Sequence, residues 1–109
     1  MKKYKLADMD RGWFIGDFYP SVKKTKEFEV GILIRKKGEA QQEHHHKIAT
    51  EYNVLIEGSM TVNDIHIEVG DIFIIEPNES TISVILEDCK ILCVKTPSVI
   101  GDKYETVRE

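Results

Sequence analysis

The sequence predicts an all-β chain folded as a closed or nearly closed antiparallel barrel or jelly roll, and three observations predict it. Helical periodicity is nearly absent, and apolar residues instead alternate with polar ones or stand in short runs. Turn residues punctuate those runs at regular intervals: Gly38, Gly58, Asn63-Asp64, Gly70-Asp71, Pro77 and Pro97. Short strands with frequent turns are best served by closure, which also removes exposed sheet edges.

Taken in order, GWFIGDFYP reads as a short strand ended by Pro20. In KEFEVGILIRKKG, Phe28, Val30, Ile32 and Ile34 alternate with Glu27, Glu29, Gly31 and Leu33, the period-two signature of a half-buried strand. Gly38 then supplies a turn, and EYNVLIEG is a strand stopped at Gly58. SMTVND and IHIEVGD form a hairpin around Asn63-Asp64, with Gly70-Asp71 as the next turn. DIFIIEP is an apolar run closed by Pro77; TISVILED and KILCVKTP follow as two further strands, the latter stopped by Pro97. The first ten residues and the tail SVIGDKYETVRE look peripheral, free to cover an edge or cross to a partner subunit. Trp13, Phe14, Phe18 and Tyr19 form the densest aromatic cluster, suited to a core or a dimer interface.

Composition narrows the function. With 109 residues, 41% of them hydrophobic and 31% charged, the chain reads as one globular domain over 1–109, its barrel core spanning 12–97. A formal charge of −4 and scattered Lys pairs argue against nucleic acid. No apolar run approaches the roughly 18 residues of a membrane helix. Asp8 and Asp10 interrupt the basic N-terminus before an export signal could form, so the cytoplasm is the expected compartment. Cys89 and Cys93 lie four apart on a strand, about 13 Å, too far for a disulfide and expected as reduced thiols.

Three of the four histidines stand together at 44–46. On a strand His44 and His46 point to one face and His45 to the other, their Cα atoms about 6.5 Å apart, a span two imidazoles can close onto one ion. Glu51 follows after enough chain to turn and present a carboxylate from the neighbouring strand. Two imidazoles and one carboxylate make a facial triad with open coordination positions. On the H-x-H pattern alone, a solvent-facing pair is the plainer reading. The fourth histidine, His66, lies between Ile65 and Ile67, faces away from them, and is expected at the surface without a role.

The surrounding glycines change that balance. Gly38, His44, His46, Glu51 and Gly58 follow G-x5-H-x-H-x4-E-x6-G without departure, and this stretch, 38–58, resembles the first conserved motif of the cupin family. Cupins are small antiparallel jelly-roll barrels in which this motif supplies metal ligands on the inner face. The resemblance implies that His44, His46 and Glu51 are metal ligands and that His45 faces away. The second cupin motif, G-x5-P-x-G-x2-H-x3-N, is degenerate here over 70–85: Gly70 opens it, Glu76 stands for the proline, Asn78 for the second glycine, Thr81 for the histidine and Ile85 for the asparagine. Asn78 suits its place, because Asn tolerates the left-handed backbone region. Thr81 is a poor ligand, which leaves three protein ligands or a fourth borrowed from nearby, Glu79 being the candidate.

By the same alternation Gln42 shares the face of the histidines, Asn53 and Leu55 share that of Glu51, and Thr81, Ser83 and Ile85 line the opposite wall. Gln42 and Ser83 could orient a substrate. The phrases RGWFIGDF, HKIATE and VKTPSVIGDKYE resemble small stand-alone cupins that accompany enzymes of sugar-nucleotide and surface-polysaccharide assembly. The expectation is therefore a metal-binding cupin, a homodimer, acting on or binding a small polar metabolite, a sugar or sugar nucleotide first. It would work as a metal-dependent oxygenase or isomerase, with no general base assigned. Iron(II) heads the cofactors, with zinc, manganese and nickel as alternatives. A second reading is a non-catalytic, metal-free small-molecule binder or regulator. A third, a purely structural dimerisation module, requires a barrel filled with side chains.

Overall fold

A computed structural model describes residues 1–107. Among them a short 3-10 turn at Leu6–Asp8 precedes nine strands: β1 (Trp13–Gly16), β2 (Lys23–Lys24), β3 (Glu29–Arg35), β4 (His44–His45), β5 (Thr50–Val62), β6 (Ile65–Ile67), β7 (Ile72–Ile75), β8 (Ser83–Thr96) and β9 (Tyr104–Glu105). The main sheet runs β2-β1-β3-β8-β5-β6, with β7 also beside β5, and β4 pairs with β9 in a second, small sheet. Every pair is antiparallel except β1 with β2. Bridges from Ala40 to Val84 and from His44 to Thr81 join the approach to β4 back to the start of β8, so the two sheets enclose an interior. No helix among the described residues is long and apolar enough to cross a membrane.

The long strands correct two sequence expectations. TISVILED and KILCVKTP belong to one strand, β8, and β5 does not stop at Gly58 but continues to Val62. Gly58 sits at φ 93 where the pairing of β5 with β8 shifts register, and a Cβ there would stand 2.3 Å from the carbonyl oxygen of Asp88. The glycine marks a bulge that bends a continuous strand pair. The hairpin at Asn63-Asp64 forms as expected, both residues taking the positive φ of a tight primed turn.

A third correction concerns β3. Period two is present, but its buried half is Gly31 and Leu33, while Ile34 is 50% exposed. Alternation alone does not say which face is inside. The register settles it: Val30, Val94, Tyr52 and Ile74 form one outward row across β3, β8, β5 and β7, and Ile32, Leu92, Val54 and Ile72 form the next. The inward rows are Glu29–Lys95–Glu51–Ile75, then Gly31–Cys93–Asn53–Phe73, then Leu33–Ile91–Leu55. Leu33, Leu55, Met60, Val62, Ile67, Ile85, Cys89, Ile91 and Cys93 pack into one apolar cluster, with Trp13 and Phe73 against it. One charged row, Glu29–Lys95–Glu51, lines the inner face beyond that cluster.

Candidate functional site

Beyond the apolar cluster lies a cavity of about 440 Å³, lined among others by His44, His46, Glu51, Asn53, Thr81 and Ser83. A barrel filled with side chains, as a purely structural module requires, is not what forms. The volume falls in the ordinary range for small-molecule sites.

The histidines enter the cavity because β4 is held on both sides. His44 exchanges backbone hydrogen bonds with Thr81 (3.1 and 2.9 Å), and across the strand His44 and His45 pair with Glu105 and Tyr104. His45 turns away from the cavity: its Nδ1 lies 2.9 Å from Thr106 Oγ1 and its ring stacks on Tyr104. His46 is 3% exposed. Past it the chain reverses around Asp102, whose carboxylate accepts the backbone N–H groups of Lys47 (2.9 Å), Ile48 (3.2 Å) and Ala49 (2.9 Å). That turn delivers Glu51 onto β5 beside His46, Nε2 to Oε2 3.2 Å. The tail is therefore not peripheral: it supplies β9 and Asp102, which hold the histidine segment in place.

Hydrogen-bond chemistry fixes both tautomers. The Nδ1 atoms of His44 and His46 contact the backbone carbonyls of Gln42 (3.2 Å) and Asp102. A carbonyl only accepts, so each Nδ1 carries a proton and each neutral ring keeps its lone pair on Nε2. For His46 that lone pair would face the Glu51 carboxylate. Two acceptors at 3.2 Å repel unless a cation lies between them, either a proton on Nε2 or a metal ion.

The charges around the pair favour ionised Glu51. Burial opposes its ionisation, but the hydrogen bond from His46, the Lys95 charge and the Cys93 thiol outweigh it and hold the carboxyl down to about 2. Lys95 stands between Glu29 and Glu51 in the inner row, its Nζ 4.9 Å from the Trp13 ring centroid. Burial raises Glu29 above its ordinary value against the pull of Lys95. His44 is lowered, by burial first and also by the charge of Lys103, which favours the neutral ring. The Cys93 thiol is pushed up by burial and by Glu51, and both cysteines are free and buried.

Two donors bound to one ion at about 2.1 Å stand roughly 3.0–3.4 Å apart, so the His46–Glu51 spacing of 3.2 Å suits a shared ion as well as a hydrogen bond. The His44 and His46 ring centroids are 5.5 Å apart at 79°. Two imidazoles sharing an ion place their centroids roughly 4.5–5.2 Å apart, so His44 stands a few tenths of an ångström wide. Accordingly, no group of three His, Cys, Asp or Glu side chains among the described residues is closed up to hold a metal as it stands. The donor set fits an ion in kind: two Nε2 lone pairs, each backed by an Nδ1–H to carbonyl bond, and one ionised carboxylate.

The remaining sequence candidates divide. Thr81 (4% exposed) and Ser83 line the cavity. Gln42 does not; it is exposed and donates to Glu105 at 2.6 Å, because the chain before β4 is not regular strand and Gln41 takes the inward place. Glu79 stays in the turn, exposed, accepting the Glu76 N–H at 3.1 Å, far from a ligand's role. Asn78 takes φ 68, as its place in the degenerate motif requires. His66 is exposed and bonds Ser59. Sequence reasoning missed Asp102, Lys103, Lys95 and Arg35. Only the register, which places Lys95 opposite Glu51, could have found one of them.

No protein-family model and no curated protein matches this sequence. Solved structures do. A conserved protein with a double-stranded β-helix domain from Klebsiella pneumoniae is 21% identical, with 77% of this chain and 74% of that one covered at a TM-score of 0.67. A cupin-2 domain protein from Shewanella frigidimarina is 16% identical, with 69% and 76% covered and a TM-score of 0.59. This chain has the cupin fold. The bacterial pirin YhhW of Escherichia coli, solved in complex with nickel(II), shares that cupin barrel at 16% identity, with 81% of this chain and 39% of that one covered and a TM-score of 0.66.

Proposed function

We propose that this cupin binds one divalent transition-metal ion through His44, His46 and Glu51 and uses the cavity to bind or act on a small polar metabolite. The observation that carries the reading is the tautomer pair: both rings give their Nδ1 protons to backbone carbonyls, leaving Nε2 as the donor atom, and one of these stands 3.2 Å from a carboxylate oxygen. The nickel(II) of the pirin that shares the fold supports a metal in general. Iron(II) is the first choice for two imidazoles and a carboxylate, with zinc, manganese and nickel as alternatives. A bound ion would supply Lewis acidity and open positions for a substrate.

The chain's own residues do the rest. Asp102 sets the turn that brings His46 to Glu51, His46 and then Lys95 favour ionised Glu51, and Thr81, opposite His44, offers a hydroxyl where a third imidazole would be the fourth ligand. A sugar or sugar nucleotide is the first ligand class to test. Elemental analysis of tag-free protein purified without added metal tests the metal reading: about one equivalent is expected, lost in His44→Ala/His46→Ala. One observation favours a second reading, a metal-free binding protein: His46 and Glu51 already meet directly, with His44 standing apart. Metal-free protein that binds a sugar equally well after the double substitution would decide for it.

We further propose a homodimer through the outer face of the main sheet. Tyr52, Ile34, Ile72 and Ile74 are 44%, 50%, 74% and 50% exposed there, continuous with Leu92, Val94 and Val54 in the outward rows. The apolar face is bordered beside Ile34 by the Lys90–Glu57 ion pair, and such a patch with a charged rim suits an isologous contact with a second copy.

A further inference from the structure

Accepting that the cavity is a ligand site, we infer that its ligand is an anion, a metabolite whose carboxylate or phosphate is held by Arg35 and Lys103 while the Asn53 amide donates to another of its oxygens. Four cations line the cavity, Arg11, Arg35, Lys95 and Lys103, in a chain whose net charge is −4. Their counter-charges are mostly committed. Asp10 pairs with Arg11 at 3.2 Å, Asp102 is taken by three backbone N–H groups, and Glu29 and Glu51 flank Lys95. No carboxylate among the described residues lies within ion-pair reach of Arg35 or Lys103. Lys103 is lowered by burial first and then by the crowding of Lys95, Arg35 and Arg11, which places these like charges around one space. Proteins separate like charges unless an opposite charge joins them, and an arginine and a lysine lining one cavity suit the oxygens of a carboxylate or phosphate.

Asn53 is an independent observation. It is 3% exposed, lines the cavity, and its amide nitrogen has no hydrogen-bond partner. A buried donor left without an acceptor is costly, and neither of its neighbours in the inner row, Phe73 and the weakly accepting Cys93, bonds it. The acceptor it lacks is supplied by the ligand. Both features ask for the same chemistry: oxygen atoms, at least one group of them negatively charged.

Calorimetric titration of the tag-free protein with glucuronate, glucose 1-phosphate and glucose tests this. At least one of the two anions binds, and the preferred one tells a carboxylate from a phosphate. Glucose binds at least about tenfold more weakly. Arg35→Gln/Lys103→Gln reduces anion affinity by roughly tenfold or more at unchanged metal content, and Asn53→Ala, checked for folding by circular dichroism, reduces it by about fivefold. Glucose binding as tightly as the anions, or anion affinity unchanged in the Arg35/Lys103 variant, overturns the inference while leaving a ligand site. Binding of none of the three overturns both. Anion binding by metal-free protein removes the metal and leaves the inference standing.

Discussion

Asp102 lies 51 residues beyond Glu51 in the sequence and makes the turn that seats the site. In Asp102→Ala three backbone N–H groups lose their acceptor. Lys47 and Ile48 are exposed and can turn to water, costing about 0.5–1 kcal/mol each, whereas Ala49 is 2% exposed and its N–H would be stranded at about 1–3 kcal/mol. The sum is about 3 kcal/mol, a fall in Tm on the order of 12 °C for a domain of this size. Asp102→Asn keeps one acceptor oxygen and loses about half as much. Burial resists ionisation of Asp102, but the N–H groups of Ala49, Lys47 and Ile48 outweigh it and hold its carboxyl below the ordinary 3.8. Its contribution is thus fully present above that value and fades as pH falls through the depressed one. Urea denaturation followed by the fluorescence of Trp13, the single tryptophan, measures both effects. The gap between wild type and Asp102→Asn should be widest at neutral pH and close in acid. A loss below roughly 1 kcal/mol for Asp102→Ala, or a gap that ignores pH, would refute the reasoning.

Other outcomes follow from the same geometry. Gly58→Ala places a Cβ 2.3 Å from the Asp88 carbonyl oxygen at φ 93 and should cost at least about 2 kcal/mol in urea, a loss under roughly 0.5 kcal/mol contradicting the bulge. Cys89 and Cys93, 1% and 0% exposed with raised thiol pKa values, should resist a thiol reagent in the native protein and react on unfolding. Ile34→Lys/Ile74→Lys should leave a folded monomer where the parent sediments as a dimer; a monomeric parent would remove the proposed interface.

How much was legible depended on the range of each contact. The two histidines and Glu51 are separated by a few residues, so their spacing carries most of the constraint, and the structure does bring His46 and Glu51 to 3.2 Å. Asn78 and Asn63-Asp64 were readable because a positive φ selects for Asn and Asp. Gly58 was misread because a strand stop and a bulge both call for glycine, and Glu87-Asp88, exposed within β8, imitates a turn. The inner face of β3 was hidden because the cavity takes charged Glu29 and Arg35 inside along with Leu33, while apolar Val30, Ile32 and Ile34 form the outer face. Asp102 gave no local signal, since its partners lie 53 to 55 residues away.

The most direct measurement is an anomalous difference map from crystals of protein grown and purified without added metal. A peak should lie about 2.0–2.2 Å from Nε2 of His44, Nε2 of His46 and a Glu51 oxygen, with both Nδ1 atoms still on the carbonyls of Gln42 and Asp102. A map with no peak there, His46 bonded straight to Glu51 and His44 apart from both, would contradict the account.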